Sequence, residues 1–356
     1  MSAPKYTLYT MDVSNHGQRC KMLLSYLKVP ETEVAVEAPS ALGGLKSEEF
    51  LTQANRHGKM PALVGEGLAV AESDTIARFL GGTYGASGDF SPQPGSLLAL
   101  KADVVCRHHD VYLAPLQGAL YKESPRGQPF SAFGTRALAL DEFEKQLAAL
   151  EDLVVEEGRY LLGDAPTQAD CAVFPTLVFA EFMLPLFEGR SFALGPKLAK
   201  WWAYVCAEDE VAVATKKQML AALEPWQARG RWSGILGAGK RDADTTIFDK
   251  ILAKQIPSTM VYEDDFCYAF KDIAPVAPVH VLLIPKLKSG LTQLQFATDD
   301  NIFLLGHMMS KVGHVAKLSG LDTYRLAVND GAEVGQSVFH LHLHIIGGRP
   351  LSWPPG

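Results

Sequence analysis

The stretch at 338–348, VFHLHLHIIGG, alternates histidine with aliphatic residues. Successive side chains of a β-strand point to opposite faces, so the pattern predicts a strand with His340, His342 and His344 on one face. The aliphatic residues between them would face a core. Neighbouring histidines on such a strand lie about 6.6 Å apart, at about 3.3 Å per residue. The whole chain contains 10 histidines, so three in one short run predict a functional site.

Three interpretations of this run are open. One metal ion, with Zn–N distances of about 2.0–2.1 Å, could take two of the histidines but hardly all three from a regular strand. A half-exposed, histidine-rich strand without function is the second interpretation. The third, which we favour, is catalysis by a neutral imidazole nucleophile, because histidine titrates near neutral pH. Phosphorus chemistry suits such a row, since phosphoryl oxygens need cationic or N–H partners in the transition state.

The chain of 356 residues is longer than one core usually supports, so more than one domain is expected. Strand-like and helix-like segments alternate near the start, helical periodicity follows, and short strands return from Thr246 onward. QARGRWSGILGAGKRDAD has the composition of a linker. We therefore predict an α/β domain at 1–85, an all-helical domain at 92–226, a linker at 227–244 and an α+β domain at 245–356.

Charge and composition exclude several classes of protein. The net charge is -7 and no basic run occurs, which argues against partners that are nucleic acids or membrane surfaces. The 5 cysteines are scattered without a CxxC pair, as expected of free thiols in a reducing compartment. The first residues lack the features of a signal peptide, and no apolar run approaches the roughly 20 residues of a membrane helix. We expect a cytoplasmic protein.

The last part of the chain resembles a known family. NDGAEVGQSVFHLHLHIIGGRPLSWPPG closely resembles the C-terminal signature of the histidine-triad nucleotide-binding proteins, in their purine nucleoside phosphoramidase branch. The likeness continues through TIFDKILAKQIPSTMVYEDD, AFKDIAPVAPVHVLLIPK and LLGHMM, and so covers about 245–356. The resemblance implies a hydrolase of purine nucleoside 5'-phosphoramidates. From the spacing of the histidines we expect no metal.

The resemblance also implies roles for individual residues. His342 would attack the α-phosphorus and carry a nucleotidyl intermediate. His344 and Ser337 would contact phosphate oxygens and help to protonate the leaving amine, and His340 would support proton placement. The implied nucleotide-binding residues are Asn329 and Gly335 near the phosphate, Asp272 at the ribose, and Phe248, Ile251, Phe270 and Ile273 around the purine. Core packing for the apolar four and a solvated turn for Asp272 are the alternatives.

Some positions depart from the family pattern or stay open. Lys288 stands where relatives often carry histidine, and the residues at 332–334 alter the loop before the triad, so the leaving-group preference is open. His280, in APVH, matches a family position where an ordinary buried histidine is equally plausible. Trp353 resembles a residue that reaches toward a partner subunit, which implies a homodimer.

The first 226 residues resemble the glutathione transferases. The segments LYTMDVSNHGQR, GKMPALV and AESDTIARFLGGTYG are similar to the thioredoxin-fold half of these enzymes, and YLLGDAPTQADCAVFP is similar to their helical half. The resemblance implies a multi-domain chain: an α/β thioredoxin-like domain and an all-α bundle, followed by an α+β histidine-triad domain. In the helical half, Thr167 and Asp170 form a capping pattern at a helix start. Glutathione is the implied substrate of this half.

The glutathione-binding residues follow from the same resemblance. A cis peptide bond before Pro61 would expose the backbone of Met60 to glutathione. Glu72 and Ser73 begin a helix whose N-terminal N–H groups favour the γ-glutamyl carboxylate. The resemblance also places Lys46 and Lys59 at the glycine carboxylate, while Leu45 stands where histidine is frequent.

Ser14 matches the serine whose hydroxyl stabilises the glutathione thiolate in serine-type transferases. The alternative is a helix cap only. Adjacent His108 and His109 do not share a helix face, and we interpret them as surface or acceptor-pocket residues.

These parts together predict a bifunctional enzyme, a glutathione transferase fused to a nucleoside phosphoramidase. The alternative is a non-catalytic glutathione-binding or dimerising module attached to a histidine-triad hydrolase or a nucleotide-binding regulator. The sequence does not identify the electrophile.

Overall fold

The computed structural model describes residues 4–85, 90, 95–122, 129–187, 189–233, 235–236 and 245–352. The chain divides into two compact units. One contains Met1–Leu120 and Asp141–Arg231, and the other contains Tyr121–Leu140 and Trp232–Gly356. Among these residues, each unit contains one β-sheet.

The first unit begins with a small α/β domain. Its elements are β1 (Tyr6–Tyr9), α1 (Asn15–Tyr26), β2 (Val34–Glu37), α2 (Glu48–Gln53), β3 (Ala62–Gly65), β4 (Leu68–Ala71) and α3 (Ser73–Tyr84). The sheet order is β2-β1-β3-β4, in which β1 is parallel to β2 and antiparallel to β3. β3 and β4 form a hairpin, whose turn residues Glu66 and Gly67 have φ angles of 48° and 76°. Positive φ at both turn positions matches the twist of the flanking strands.

Helices follow, as the periodicity predicts. They are α4 (Leu97–His108), α5 (Gly118–Tyr121), α6 (Arg136–Glu151), α7 (Gln168–Met183), α8 (Pro196–Ala207) and α9 (Glu210–Ala228). A π-helical turn at His109–Leu113 continues α4. α8 and α9 are separate helices because the side chain of Asp209 caps α9, accepting from the N–H of Ala212 at 2.8 Å.

α7 is the buried central helix of this unit. It begins with the predicted capping box, in which Asp170 Oδ2 accepts from the N–H of Thr167 at 2.8 Å. Among the described residues, Gln168–Leu186 is the one helical stretch long and apolar enough to cross a membrane, and 78% of it is buried inside the protein. Such burial is typical of the core helix of a globular domain.

The second unit contains a five-stranded antiparallel sheet. Its elements are α10 (Ile247–Leu252), β5 (Met260–Glu263), β6 (Cys267–Lys271), β7 (Val279–Pro285), α11 (Ile302–Leu318), β8 (Tyr324–Ala327) and β9 (Leu343–Gly347). The strand order is β5-β6-β7-β9-β8. Leu304, Met308, Val312 and Val315, which share one face of α11, lie in a core cluster with Leu341, Leu343 and Ile345. The aliphatic face of the histidine run is therefore buried, as predicted.

The predicted strand at the histidine run is too long. β9 starts at Leu343, so His340, at the end of a bend, and His342 lie outside the sheet ladder, and of the three only His344 is in the strand. The main-chain N–H of Leu341 instead donates to the carbonyl of Leu291 at 2.8 Å. Alternation of residue type predicts which faces the side chains take, but it does not predict where pairing with a neighbouring strand begins.

The region predicted as a linker is partly structured. α9 extends to Ala228, and Trp232 and Ile235 are buried. Residues 121–140, predicted as part of the helical domain, group with the second unit. Residues 237–244 and Trp353 lie outside the described residues.

Candidate active sites

His342 directs one ring nitrogen to the protein and leaves the other for chemistry. Its Nδ1 lies 2.8 Å from the main-chain oxygen of His340. A carbonyl oxygen can only accept, so Nδ1 carries the proton and Nε2 carries the lone pair. The residue is 4% exposed, and burial lowers its pKa, which keeps the ring neutral at neutral pH. This is the protonation state that a histidine nucleophile needs.

His344 lies beside His342, with ring centroids 4.9 Å apart. Nδ1 of His344 lies 2.9 Å from Nε2 of His280 on the neighbouring strand β7. Nδ1 of His280 accepts from the N–H of Val276 at 3.4 Å. Because Nδ1 of His280 accepts in that contact, the proton of His280 is on its Nε2, which donates to Nδ1 of His344. Since Nδ1 of His344 accepts, the proton of His344 is on Nε2 of His344. Among the described residues this Nε2 has no hydrogen-bond partner, so it is available to a substrate.

Two contacts compete for Nδ1 of His280. Asp272 Oδ2 lies 3.5 Å away, and its charge would favour a proton on Nδ1. We assign the lone pair there because the Val276 N–H meets hydrogen-bond geometry, whereas the carboxylate is within ion-pair distance only. Burial lowers the pKa of His280, and burial together with the neighbouring His342 lowers the pKa of His344 to about 4. Both rings are therefore neutral at neutral pH.

His340 is the fully buried member of the row. Its Nε2 donates to the carbonyl of Pro285 at 2.8 Å, and its Nδ1 lies 3.5 Å from Oδ1 of Asp249 on α10. The other oxygen of Asp249 is 2.9 Å from Nζ of Lys288, whose side chain is 5% exposed. Lys288, which departs from the family pattern, thus forms an ion pair with Asp249, the residue next to the His340 ring.

Three of the four residues expected around the purine lie together. Phe248, Ile251 and Phe270 belong to one buried cluster, and the Phe248 ring stands edge-on to His342 with centroids 5.2 Å apart. Ile273 does not join them: it follows the end of β6 and its side chain is 99% exposed. Asp272 accepts from the N–H of Ala274 at 2.8 Å, as in the turn proposed as its alternative role.

The loop before the triad contains the remaining predicted residues. Asn329 Nδ2 donates to the carbonyl of Gly335 at 3.4 Å. Gly335 has a φ of 93°, which favours glycine, and Ser337 is exposed. Gln336, which sequence reasoning missed, is buried and donates to the carbonyl of Thr292. It anchors the loop that carries the predicted phosphate-binding residues.

Within the described part of the chain, two groups of side chains have metal-ligand chemistry, with ligand atoms within 4.8 Å of one another. They are Asp272, His280 and His344, and Asp264, Cys267 and His307. In the second group Asp264 already accepts from Nε2 of His307 at 2.8 Å and from the N–H groups of Phe266 and Cys267. This carboxylate therefore connects the β5–β6 turn to α11. The expectation of a metal-free site stays a prediction.

The first unit contains the second candidate site, at the start of α1. The Oγ of Ser14 accepts from the N–H of Gly17 at 3.1 Å, so Ser14 caps the helix. A hydroxyl that accepts one hydrogen bond can still donate its proton to a thiolate, and the two interpretations of Ser14 are compatible. A Cβ on Gly17 would lie 1.7 Å from Oγ1 of Thr10. Only glycine allows β1 to end this close to the first turn of α1.

The other predicted glutathione-binding residues lie on loops and helix starts of the same domain. The Met60–Pro61 peptide bond is cis, as predicted. Glu72 has a φ of 71°, an uncommon conformation for a residue other than glycine, immediately before α3. Ser73 is buried at the start of that helix, whereas Lys46 and Lys59 are exposed.

A buried polar network, missed by sequence reasoning, connects α1 and α3 in this unit. Arg19 is 1% exposed and forms ion pairs with Asp74 at 2.6 Å and with Asp110 at 2.9 Å. Asp110 also accepts from Nδ1 of His109 at 2.8 Å, and Nε2 of His109 lies 2.8 Å from Oγ1 of Thr176. Asp74 follows Ser73, so the network fixes the start of α3. Neither expected location of His109, the surface or an acceptor pocket, is correct, because it is fully buried.

Comparison with known proteins shows the family of the second unit. Residues 253–351 match the family model of the HIT domain. The chain is 60% identical over 115 residues to an uncharacterized HIT-like protein of Synechocystis sp., an overlap of 32% of this chain and 99% of that protein. The chain belongs to the HIT family.

Two further relatives and one solved structure match this HIT domain. A 14 kDa zinc-binding protein of Zea mays is 53% identical over 116 residues, 32% of this chain and 91% of the relative. Adenylylsulfatase HINT1 of Arabidopsis thaliana is 53% identical over 112 residues, 31% of this chain and 76% of the relative. A solved HIT family hydrolase from Legionella pneumophila is 40% identical and covers 32% of this chain and 100% of its own, with a TM-score of 0.30.

The part before the HIT domain matches two other family models. Residues 8–88 match the glutathione S-transferase N-terminal domain, and 133–204 match its C-terminal domain. A solved epsilon-class glutathione S-transferase from the housefly, Musca domestica, is 20% identical and covers 62% of this chain and 98% of its own, with a TM-score of 0.47. The chain is thus a fusion of a glutathione transferase-like part and a HIT domain, and the predicted fold class is confirmed.

Proposed function

We propose that the HIT domain hydrolyses purine nucleoside 5'-phosphoramidates through a nucleotidyl-histidine intermediate. The observation that carries the proposal is the pair of ring nitrogens at its centre. Nε2 of His342 has a lone pair, and the neighbouring Nε2 of His344 has a proton and no partner among the described residues. One atom can form a bond to phosphorus while the other donates to the departing group.

The reaction has two steps on this geometry. The lone pair of His342 Nε2 attacks the α-phosphorus, the P–N bond breaks, and the amine leaves with a proton from His344. Water then attacks the same phosphorus, the bond from phosphorus to His342 breaks, and the nucleoside monophosphate is released as His344 regains a proton. Asn329 and Ser337 would contact the phosphate oxygens, and the buried cluster of Phe248, Ile251 and Phe270 would bind the purine.

Attack at the α-phosphorus does not depend on a nitrogen leaving group. One relative is named Adenylylsulfatase HINT1, so adenylyl sulfate, which would leave sulfate, is the second substrate to test. Sulfate needs less protonation than an amine, and a preference between these two substrates reports how much His344 contributes as an acid.

The test compares the full-length wild type with His342→Ala on adenosine 5'-phosphoramidate, with release of AMP as the readout. We expect the variant to lose activity by a factor on the order of 10³ or more, as for removal of a nucleophile. His57→Ala is the control, since His57 is exposed and belongs to the first unit. Unchanged hydrolysis in His342→Ala would refute the assignment. Activity lost with chelator and restored by zinc would instead favour a metal site.

We propose that the first unit binds glutathione and transfers it to an electrophile, with Ser14 stabilising the thiolate. A hydroxyl donor lowers a thiol pKa by favouring the charged form. Ser14, Met60 and Ser73 would bind the three parts of glutathione together with Glu72, Lys46 and Lys59. The alternative is a glutathione-binding or dimerising module without turnover, attached to the HIT domain.

The matched pair for this proposal is Ser14→Ala and Ser96→Ala. Both serines cap helices, since Ser96 Oγ accepts from the N–H of Ala99 at 3.1 Å, but only Ser14 lies at the proposed site. Conjugation of 1-chloro-2,4-dinitrobenzene should be lost in Ser14→Ala and retained in Ser96→Ala. Glutathione binding by calorimetry on the same samples distinguishes a silent module, which binds without turnover, from one that does not bind.

We also propose a cytoplasmic homodimer that needs no metal. The net charge and the free cysteines support a cytoplasmic location. The family resemblance at Trp353 supports a homodimer. Light scattering on a sizing column gives the molar mass, and a value matching one 38.7 kDa chain would contradict the dimer.

A further inference from the structure

We infer that Asp249 and Lys288 are a positioning pair for the nucleophile His342, acting through the ring of His340. The inference rests on the proposed nucleotide hydrolysis by this row. The contacts form one chain: Lys288 Nζ is 2.9 Å from Asp249 Oδ2, and Asp249 Oδ1 is 3.5 Å from His340 Nδ1. The carbonyl of His340 then accepts from His342 Nδ1 at 2.8 Å.

Strand pairing does not hold the segment that carries the nucleophile. β9 begins at Leu343, so His340 and His342 lack the ladder hydrogen bonds of a strand. The ring of His340 supplies a constraint, because its Nε2 donates to the carbonyl of Pro285 at 2.8 Å and the Asp249 carboxylate lies within ion-pair distance, but not hydrogen-bond geometry, of its Nδ1. Fixing that ring fixes the backbone of residue 340, and with it the carbonyl that sets the tautomer of His342.

Burial explains why a lysine is needed. The Lys288 side chain is 5% exposed and His340 is 0% exposed, so an unpaired charge here would be costly. Although burial raises it, the pKa of Asp249 lies below its usual range because the nearby His340 ring, the N–H and hydroxyl of Thr246, and Lys288 favour the charged carboxylate. Lys288 engages one carboxylate oxygen and thereby leaves the other directed at His340.

Asp249 also caps a helix, and the test must separate this structural role from the positioning of His340. It closes the capping box of α10, accepting from the N–H of Thr246 at 2.6 Å and from the Thr246 hydroxyl at 2.8 Å. If Asp249 and Lys288 had only a structural role, breaking their ion pair would act by destabilising α10. Thr246→Ala removes a cap contact and keeps the ion pair, so it reproduces that structural effect alone.

The experiment uses the full-length protein with Lys288→Met, Lys288→Arg and Thr246→Ala. With adenosine 5'-phosphoramidate we expect Lys288→Met to lower kcat about 10- to 100-fold with little change in KM, because the nucleophile is misplaced. Lys288→Arg should restore most of kcat. Thr246→Ala should lower Tm with kcat unchanged. An unaltered kcat in Lys288→Met, or an equal loss in Thr246→Ala, overturns the inference.

A second readout does not depend on turnover. ¹⁵N NMR of the histidine rings, recorded without substrate, reports which nitrogen of His342 is protonated. The wild type should show one tautomer with the proton on Nδ1, and Lys288→Met should show a mixture. If the wild type does not hydrolyse the phosphoramidate, the proposed function fails, yet the NMR comparison still decides the positioning. Identical His342 signals in both proteins overturn the inference.

Discussion

Nε2 of His280 on β7 lies 2.9 Å from Nδ1 of His344 on β9, so a hydrogen bond between two neutral imidazoles joins neighbouring strands beside the nucleophile. In this arrangement His280 determines which nitrogen of His344 carries a proton. His280 was an open position on sequence grounds, since an ordinary buried histidine was equally plausible there.

Replacing His280 tests this relationship. In His280→Phe the donor to His344 is lost, and the His344 proton is free to move to Nδ1, away from the substrate. We expect kcat for phosphoramidate hydrolysis to fall about 10- to 100-fold, within the range for one acid–base group. His314→Phe is the control, because His314 packs on Tyr262 rather than in the site. Equal rates for wild type and His280→Phe would contradict the tautomer assignment.

The pH dependence of hydrolysis follows from His342. The attacking ring must be neutral, and burial lowers its pKa from the ordinary 6.5. Protonation removes the lone pair, so kcat/KM should stay level as the pH falls to about 6.5 and decrease only below it. The measurement is kcat/KM for adenosine 5'-phosphoramidate between pH 4.5 and 8. A decrease that is already complete at pH 6.5 would show that His342 is not the group that titrates.

The packing of α1 on β1 predicts a contrast between two glycines. Gly17→Ala would bring a Cβ to 1.7 Å from Thr10 Oγ1, whereas a Cβ on Gly82 in α3 meets no atom within 4 Å. We expect Gly17→Ala to lower the free energy of unfolding by about 1–3 kcal/mol and to impair glutathione binding. Gly82→Ala should be neutral or stabilise by up to about 1 kcal/mol. Urea denaturation of both variants checks the contrast, and equal effects would contradict it.

Acid should destabilise the first unit through His109. Burial lowers the pKa of this ring, so below the ordinary value of 6.5 the unfolded chain binds a proton that the folded unit does not. The stability contributed by the neutral ring is complete above pH 6.5 and is lost as the pH falls toward the lowered value. Urea midpoints followed by tryptophan fluorescence at pH 7.5 and 5.5 measure this loss. The difference should shrink in His109→Gln, and an unchanged difference would implicate another group.

Much of the fold could be predicted from local patterns. Alternation identified the buried aliphatic face of the histidine run, helical periodicity located the helical domain, and the Thr167 to Asp170 pattern located the start of α7. These features depend on neighbours within a few residues, where backbone geometry alone relates side chains. Identification of both families followed from motifs of the same local kind.

The parts that sequence did not predict depend on distant partners. Arg19 and Asp110 are 91 positions apart, and neither residue lies in a pattern that indicates the other. Asp249 was not singled out from the sequence, and its approach to His340 arises only when α10 packs against the segment before β9. Ile273 was expected with Phe248, Ile251 and Phe270 around the purine, but it is exposed after β6 and outside their cluster, because the family position does not determine whether the chain turns away from the core there.

Leu341, Leu343 and Ile345 alternate with the histidines, so the placement of the histidines depends on the exact number of residues in this segment. All three aliphatic side chains lie in the core that α11 covers. Adding or deleting one residue between His340 and His344 would exchange the two faces on one side of the change, turning imidazoles into the hydrocarbon core and leucines toward the site. The segment can therefore tolerate substitutions at its aliphatic positions more easily than a change in length, and a functional variant should carry an insertion after Gly348 instead.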